Sequence, residues 1–463
     1  IAYQTRCQFL LQEGRSVADA LFFCGEDVPN KGGSLSGAED DDAYGLPRGY
    51  SWDVCSSEAL FALTVKNGRL IAPSGVSYAM LILPDKPFMS LKTLAQIRTL
   101  QERGATVVGR VKPTRVYGLG ADPADDARLA AQSDAVWAKG VLEKTPAEAL
   151  AHLGIEPDFA CADSRVAFCH RTDGDADWYF VAMENEDVET VSCSFKTTGR
   201  VPELWNPLTG RIVRAPTWRE AGERTVIDLD FRPSGSVFVV FRAKRQGKIP
   251  SPPPKWVEVA SQTVEGPWNV RFPKGRGAPE SVAFPQLVDW AQHEEEGVRH
   301  FSGTAEYAKT VSFAHLSDGQ RLLLDLGSVR NFAEVTANGK TFSVCWKPPY
   351  QVDVTSALAG EGVLDLKVRV TNLWPNRLIG DDALPADCTW CWADFGEAIA
   401  EIPDWVRKGE ASPTGRHTFT TWKHWTKDDA LLPSGLIGPV RLRTMGKASV
   451  RRGFMLPARD CTE

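Results

Sequence analysis

No apolar run in this chain approaches the ~20 residues that a membrane-spanning helix needs, so the sequence offers no span. A basic excess is missing too. The formal net charge is −6 and the Lys and Arg residues are scattered, which argues against a nucleic-acid partner and against a membrane-surface helix. The Pro84-Asp85 turn has no Gly-rich phosphate cradle, so nucleotide or flavin binding lacks its usual signature. No strand is followed by Gly-x-Ser/Cys-x-Gly, the nucleophile elbow that an amidotransferase-like sheet would need. The acidic run Glu39-Asp40-Asp41-Asp42 lies in a Gly/Ser-rich stretch without the ligand spacing of a calcium loop, and reads as a solvated loop. The 10 Cys are spread thinly. Cys388-x-x-Cys391 has no second pair at zinc-site spacing, so no metal is expected there, while a local disulfide and the redox compartment stay open.

What is present is ample core-forming material. At 463 residues and 43% hydrophobic content the chain reads as a globular protein of about three domains. It opens at Ile1 with neither an initiator Met nor a signal peptide. Residues 1–16 read as the end of a helix already in progress, with Tyr3, Arg6, Phe9 and Leu10 near helical spacing and Gly14 as its stop, which predicts something longer upstream. Residues 17–158 alternate strand and helix. Val17–Cys24 and the wholly apolar run Tyr78–Pro84 suit parallel strands, Ser90 offers an N-cap to a helix with Leu91, Leu94 and Ile97 on one face, and Thr106–Gly109 follows as a strand. That pattern predicts a doubly wound, flavodoxin-like α/β domain serving as a spacer or assembly domain.

From 159 to 245 short strands separated by turns predict a small antiparallel β-sandwich, with Cys24, Cys169 and Cys193 as buried thiols of the two preceding regions. Residues 246–255, including Pro250-Ser251-Pro252-Pro253-Pro254, form a stiff linker. Residues 256–450 read as a larger jelly roll with strands near Gln320–Leu326, Glu334–Thr336, Val363–Val370 and Val440–Leu442, and 451–463 as a tail. Trp178 and Trp256 are expected in cores, and Trp205 is expected to pack a turn onto its sheet.

Three rigid aromatic segments sit in the last domain: Trp346–Tyr350, Thr371–Asp381 and Leu432–Val440. Seven of the 15 Trp fall between 346 and 425, several inside the domain's longest insertion, about 381–430. Flat indole faces beside amide, guanidinium and carboxylate groups suit a sugar, whose C–H faces stack and whose hydroxyls pair. The candidate carbohydrate-binding or pocket-shaping residues are Trp346, Tyr350, Trp374, Asn376, Arg377 and Asp381. Equally, Arg377 pairs with Asp381 or Asp382 simply to hold its loop. His417 and His424 flank Trp422 without metal-like spacing and read as hydrogen-bonding loop residues. Glycoside hydrolysis normally needs two carboxyl groups across the scissile bond. Asp381, Asp382, Asp394, Glu397, Glu401 and Asp404 are the acids available in the insertion, but they read as ordinary loop charges, so the catalytic residues are expected upstream of Ile1.

Two sets of residues carry a family resemblance. The stretch Arg6-Cys7-Gln8-Phe9-Leu10-Leu11-Gln12-Glu13-Gly14-Arg15-Ser16-Val17-Ala18-Asp19 resembles the segment that leaves the catalytic barrel in glycoside hydrolase family 106, the α-L-rhamnosidases. The three aromatic segments resemble that family's C-terminal galactose-binding-like domain, and Ser434–Val440 is also similar to the closing strand of the sugar-binding domain of family 2 glycosidases. The resemblance spans about Arg6 to Arg443. It implies a parent enzyme with a (β/α)8 barrel that hydrolyses terminal rhamnose by inversion, using two glutamates and assisted by calcium, with flavodoxin-like and β-sandwich domains behind. No position here matches the glutamates or the calcium ligands, and Glu26 and Asp27 receive no catalytic role. The expectation is therefore a C-terminal accessory portion, inactive alone and without a cofactor of its own. Its partners would be rhamnose-containing glycans and its own upstream barrel, and its place extracellular or periplasmic. The alternative is a stand-alone carbohydrate-binding protein without hydrolytic activity.

Overall fold

The computed structural model describes residues 1–27, 46–118, 122–242, 256–358, 362–393 and 396–447. The acidic run 39–42, the linker 246–255, Asp394 and the tail 451–463 lie outside the described residues. The chain divides into two compact units, Ile1–Pro252 and Pro253–Glu463.

In the first unit, helix Ala2–Gln12 places Tyr3, Cys7, Leu10 and Leu11 on one face, the i, i+4, i+7, i+8 set of an amphipathic helix. They pack on Trp178, Phe238 and Val240. The Trp178 indole donates to the Leu10 carbonyl at 2.8 Å, giving a buried N–H its partner. Phe9, expected among the packing residues, is 63% exposed. Gly14 does follow the helix end. It sits at φ +61°, and a Cβ there would meet the Thr172 carbonyl oxygen at 2.5 Å.

Four parallel strands come next, side by side in the order Trp52–Cys55, Ala20–Phe23, Met80–Ile82, Thr106–Val108, with Leu142 bridged in parallel beside Val108. Every residue of the two central strands is buried, which is why those segments read as unbroken apolar runs. The run Tyr78–Pro84 is not one strand, since Ser77–Tyr78 belongs to a separate three-stranded antiparallel sheet. Helix Leu91–Glu102 starts where its cap predicts: the Ser90 hydroxyl accepts from the Thr93 N–H at 3.1 Å, and Leu94, Ile97 and Leu100 are buried. Glu26, at the end of the first parallel strand, accepts from the Ser90 N–H and from the Ser90 and Thr93 hydroxyls, so it caps this helix, while Asp27 pairs with Lys86 at 2.6 Å.

Antiparallel strands follow in a six-stranded sheet built around Val166–Thr172, Ala176–Met183 and Ser236–Arg242, and in a four-stranded sheet built around Arg224–Phe231 and Glu189–Phe195. Tyr179, Phe195, Ile227 and Phe241 share one core. Cys193 is buried in it, whereas Cys24 is half-buried and Cys169 exposed, because Cys169 falls on the outward-facing phase of its strand. Trp205 is half-buried and donates to Glu203 at 2.9 Å. Inside this core Asp158 accepts from the Tyr179 hydroxyl at 2.9 Å and lies 2.8 Å from His170 Nδ1. His170 Nε2 is 3.4 Å from Asp177, which Arg200 holds at 2.7 Å.

Burial alone would lower the pKa of His170, but its hydrogen bonds to Asp158 and Asp177 outweigh burial and hold it above the ordinary imidazole value. A raised folded-state value stabilises the fold fully below the unfolded-state imidazole value of ~6.5, and that contribution is lost as pH rises through the folded value. Urea unfolding of the full chain at a series of pH values should therefore show stability falling over that range. His170→Gln should flatten this fall. An unchanged slope in the variant would place the titration on another group.

In the second unit, a four-stranded sheet (Trp256–Thr263, Arg441–Lys447, Arg321–Asp325, Gln351–Asp353) and a six-stranded sheet containing Thr304–Ser312, Val363–Thr371 and Phe332–Ala337 share one core. Trp268, Trp290, Tyr307 and Leu442 fill it, with Leu364, Leu366, Val368 and Val370 pointing in at every second residue of one strand. Trp256 is not in this core. It stands on an exposed edge strand with the Arg321 guanidinium 4.3 Å above its ring.

Candidate functional site

Thr371–Asp381 does not remain a loop. Pro375, its φ preset and its missing N–H harmless in a first turn, starts a helix over Pro375–Asp382. That helix turns Asn376, Arg377 and Asp381 inward, all of them buried. Asn376 donates to the Leu432 carbonyl at 2.7 Å and to the Ser434 hydroxyl at 3.0 Å, and accepts from the Leu432 N–H at 2.8 Å. Asn372 reaches the same hydroxyl at 3.1 Å and the Phe301 carbonyl at 2.8 Å. Two of the three aromatic segments are thus locked together. The third arrives through Tyr350, whose ring is buried and whose hydroxyl donates to the Asn331 carbonyl at 3.0 Å, while the Asn331 N–H bonds to the Thr371 carbonyl. Gly435 of the 432–440 segment is required by both backbone and space. Its φ is +95°, and a Cβ would lie 2.6 Å from the Trp290 ring.

Arg377 Nε lies 2.9 Å from Asp381 Oδ1, one helical turn along. Asp381 Oδ2 accepts from the His417 and Thr418 N–H groups, each at 2.8 Å, and from the Thr418 hydroxyl at 2.7 Å. A Cβ on Gly277 or Gly380 would come within 2.9 or 2.7 Å of the guanidinium nitrogens. Burial, then the Arg377 and Arg299 charges, push His300 below the ordinary imidazole value.

Of the six residues singled out in the sequence, Tyr350, Asn376, Arg377 and Asp381 are therefore buried with partners supplied by the protein itself. Their polar groups face protein partners, and Arg377 pairs with Asp381, as the loop-holding alternative has it. The physical reason is that the two stems of the 381–430 insertion leave backbone donors and acceptors inside the fold, and these side chains satisfy them. Trp346 and Trp374 remain outside, 41% and 61% exposed. The signal for the helix was present as Pro at its first position with Arg and Asp spaced i, i+4. Asp381→Ala strands Arg377 and three donors, so it should destabilise the second unit by about 3–5 kcal/mol, read from the denaturation midpoint.

Beyond those stems the insertion builds a pocket of about 250 Å3 lined by Trp390, Phe419, Trp422, Trp425, Asp382 and Lys423, among others. Trp390 comes from the hairpin Trp390–Ala393/Gly396–Ile399, in which Ala398 is bridged to Trp422. The His424 ring stands 4.9 Å from Trp422 and 5.0 Å from Trp425, an aromatic contact and not a metal ligand set. Lys423 Nζ is bracketed by Asp382 Oδ1 at 3.6 Å and Glu397 Oε2 at 3.9 Å. Arg416 faces Asp387 at 3.8 Å and donates from Nε to the Pro385 carbonyl and from Nη2 to the Leu384 carbonyl. Glu401 and Asp404 lie apart, in a cleft of about 440 Å3 beside Trp405. Cys388 and Cys391 are unbridged. The sequence showed this insertion to be Trp-rich, but not that Asp382, Glu397 and Lys423 converge.

Among the described residues no group of three or more His, Cys, Asp and Glu side chains could hold a metal ion. No helix among them is long and apolar enough to cross a membrane.

Residues 1–218 match the family model described as glycoside hydrolase family 106, alpha-L-rhamnosidase. Over that stretch the chain is similar to family 106. The structure is similar to that of the rhamnosidase from Novosphingobium sp. PP1Y, at 31% identity and a TM-score of 0.70, over 96% of this chain and 40% of that one. A Formosa agariphila protein named "Putative beta-glucuronidase" is 25% identical over 97% of this chain and 57% of its own length. The chain therefore spans well under two thirds of both relatives.

Proposed function

We propose that this chain is the C-terminal accessory portion of a glycoside hydrolase that removes terminal α-L-rhamnosyl groups from rhamnose-containing glycans. In this reading the reacting carboxyl groups and the calcium belong to an upstream barrel, and the aromatic insertion of the second unit holds or shapes the site for saccharide. The observation that carries it is the likeness to the Novosphingobium rhamnosidase, which runs through 96% of this chain yet takes up 40% of that enzyme. The described residues add support, since their parallel strands form an open four-stranded sheet and not a ring of eight. The strand order, with the Leu142 bridge as a fifth position, fits a flavodoxin-like spacer, and the two sheets of the second unit fit a galactose-binding-like jelly roll. An exported protein, extracellular or periplasmic, suits polymeric glycan substrates.

The aromatic pocket lies wholly within the second unit, which favours a second reading as a stand-alone carbohydrate-binding protein. Activity separates the two. The isolated chain should release no product from an aryl α-L-rhamnoside, and turnover that disappears in Glu397→Gln would refute the accessory role. In the chain joined to its barrel, Trp374→Ala should weaken activity or glycan binding by ~1–3 kcal/mol if the exposed ring stacks on sugar. Unchanged binding with an intact fold would make that Trp structural.

A further inference from the structure

We infer that the pocket of the aromatic insertion takes one neutral pyranose ring and selects it against uronate sugars. The inference rests on the saccharide reading above and adds the class of sugar.

Size comes first. At about 250 Å3 the pocket falls below the ~300–1,000 Å3 of sites for drug-sized ligands, so it suits one ring and not a chain of them. Its walls are indole and phenyl, which stack on C–H faces. Charge decides the rest. A uronate needs a cation that is not already neutralised, preferably a guanidinium with free N–H groups. Here each lining cation already faces a lining carboxylate. Arg416 has Asp387 at 3.8 Å, and Lys423 has Asp382 at 3.6 Å, with Glu397, outside the lining, at 3.9 Å on its other side. The Lys423 cluster is one negative charge in excess, so a second carboxylate brought into it meets repulsion that partial burial strengthens.

Hydroxyls face the opposite situation. The Lys423 contacts at 3.6 and 3.9 Å are longer than hydrogen bonds, so the ammonium can donate to a sugar oxygen placed beside it. Asp382 Oδ2 is engaged by the Lys427 N–H at 3.0 Å, while Oδ1 has only the long Lys423 contact and can accept from a hydroxyl. A vicinal diol can therefore accept from Lys423 and donate to Asp382.

The experiment uses the full chain and follows Trp fluorescence or calorimetry with three probes: methyl α-L-rhamnoside, methyl β-D-glucoside and methyl β-D-glucuronide. Glucoside and glucuronide differ only in the C6 carboxylate. At least one neutral glycoside should bind saturably, with the glucuronide at least roughly tenfold weaker. Trp422→Ala and Trp425→Ala should each lower neutral-sugar affinity roughly tenfold, with circular dichroism reporting an intact fold. Asp382→Asn with Glu397→Gln should narrow the gap between glucoside and glucuronide. Equal or tighter glucuronide binding overturns the inference, and so does the absence of any saturable neutral-sugar binding. If no sugar binds while the barrel-joined protein still cleaves an aryl rhamnoside, this inference fails and the accessory reading stands. Neutral-sugar binding by a chain whose barrel-joined form is inactive gives the reverse.

Discussion

Ser434 is the point on which the second unit's architecture turns. Its hydroxyl receives hydrogen bonds from both Asn372 and Asn376, and its N–H donates to Asp289 at 2.8 Å. Asn376 also closes both backbone groups of Leu432 that face it. These amides are almost fully out of water, where an unmade hydrogen bond costs about 1–3 kcal/mol, so the geometry has little freedom. The consequence is mechanical: the chain leaves the sandwich at the end of the 375–382 helix, travels through some fifty residues rich in Trp, and returns at Leu432 to a fixed place. A long insertion with pinned ends keeps its aromatic side chains near one another without a large core of its own.

Charge placement inside the insertion follows the same logic. Asp381 uses its buried carboxylate to hold the 417–418 backbone, and its neighbour Asp382 faces the pocket, one side chain structural and the next available. Adjacent helix positions point about 100° apart, so one short helix serves both the stem and the pocket wall. Burial separates their roles: the guanidinium of Arg377 compensates the inward acid, whereas Lys423 faces the outward one.

In the first unit the buried His170 network shows how a small sandwich accommodates charge. Tyr179, Asp158, Asp177 and Arg200 surround the imidazole, and the Tyr179 ring stacks on it at 3.9 Å. The β-rich runs between turns let the sequence set several strands within one or two residues, for example Ser236–Phe241 expected against Ser236–Arg242 found. Nothing in that periodicity revealed the network, because Asp158, His170 and Asp177 lie on three different segments.

Local rules carried a long way in this chain. The capped helix at Ser90, the fully apolar central strands and the alternating Val363–Thr371 strand were legible because each depends on neighbours within a few residues. The aromatic density of the insertion was legible for the same reason. Whether a polar group beside an indole faces sugar or backbone was decided only by tertiary structure. That outcome depends on which unsatisfied carbonyls and N–H groups the distant Leu432–Ser434 stem brings to it, and sequence spacing does not encode a contact between residues more than fifty positions apart.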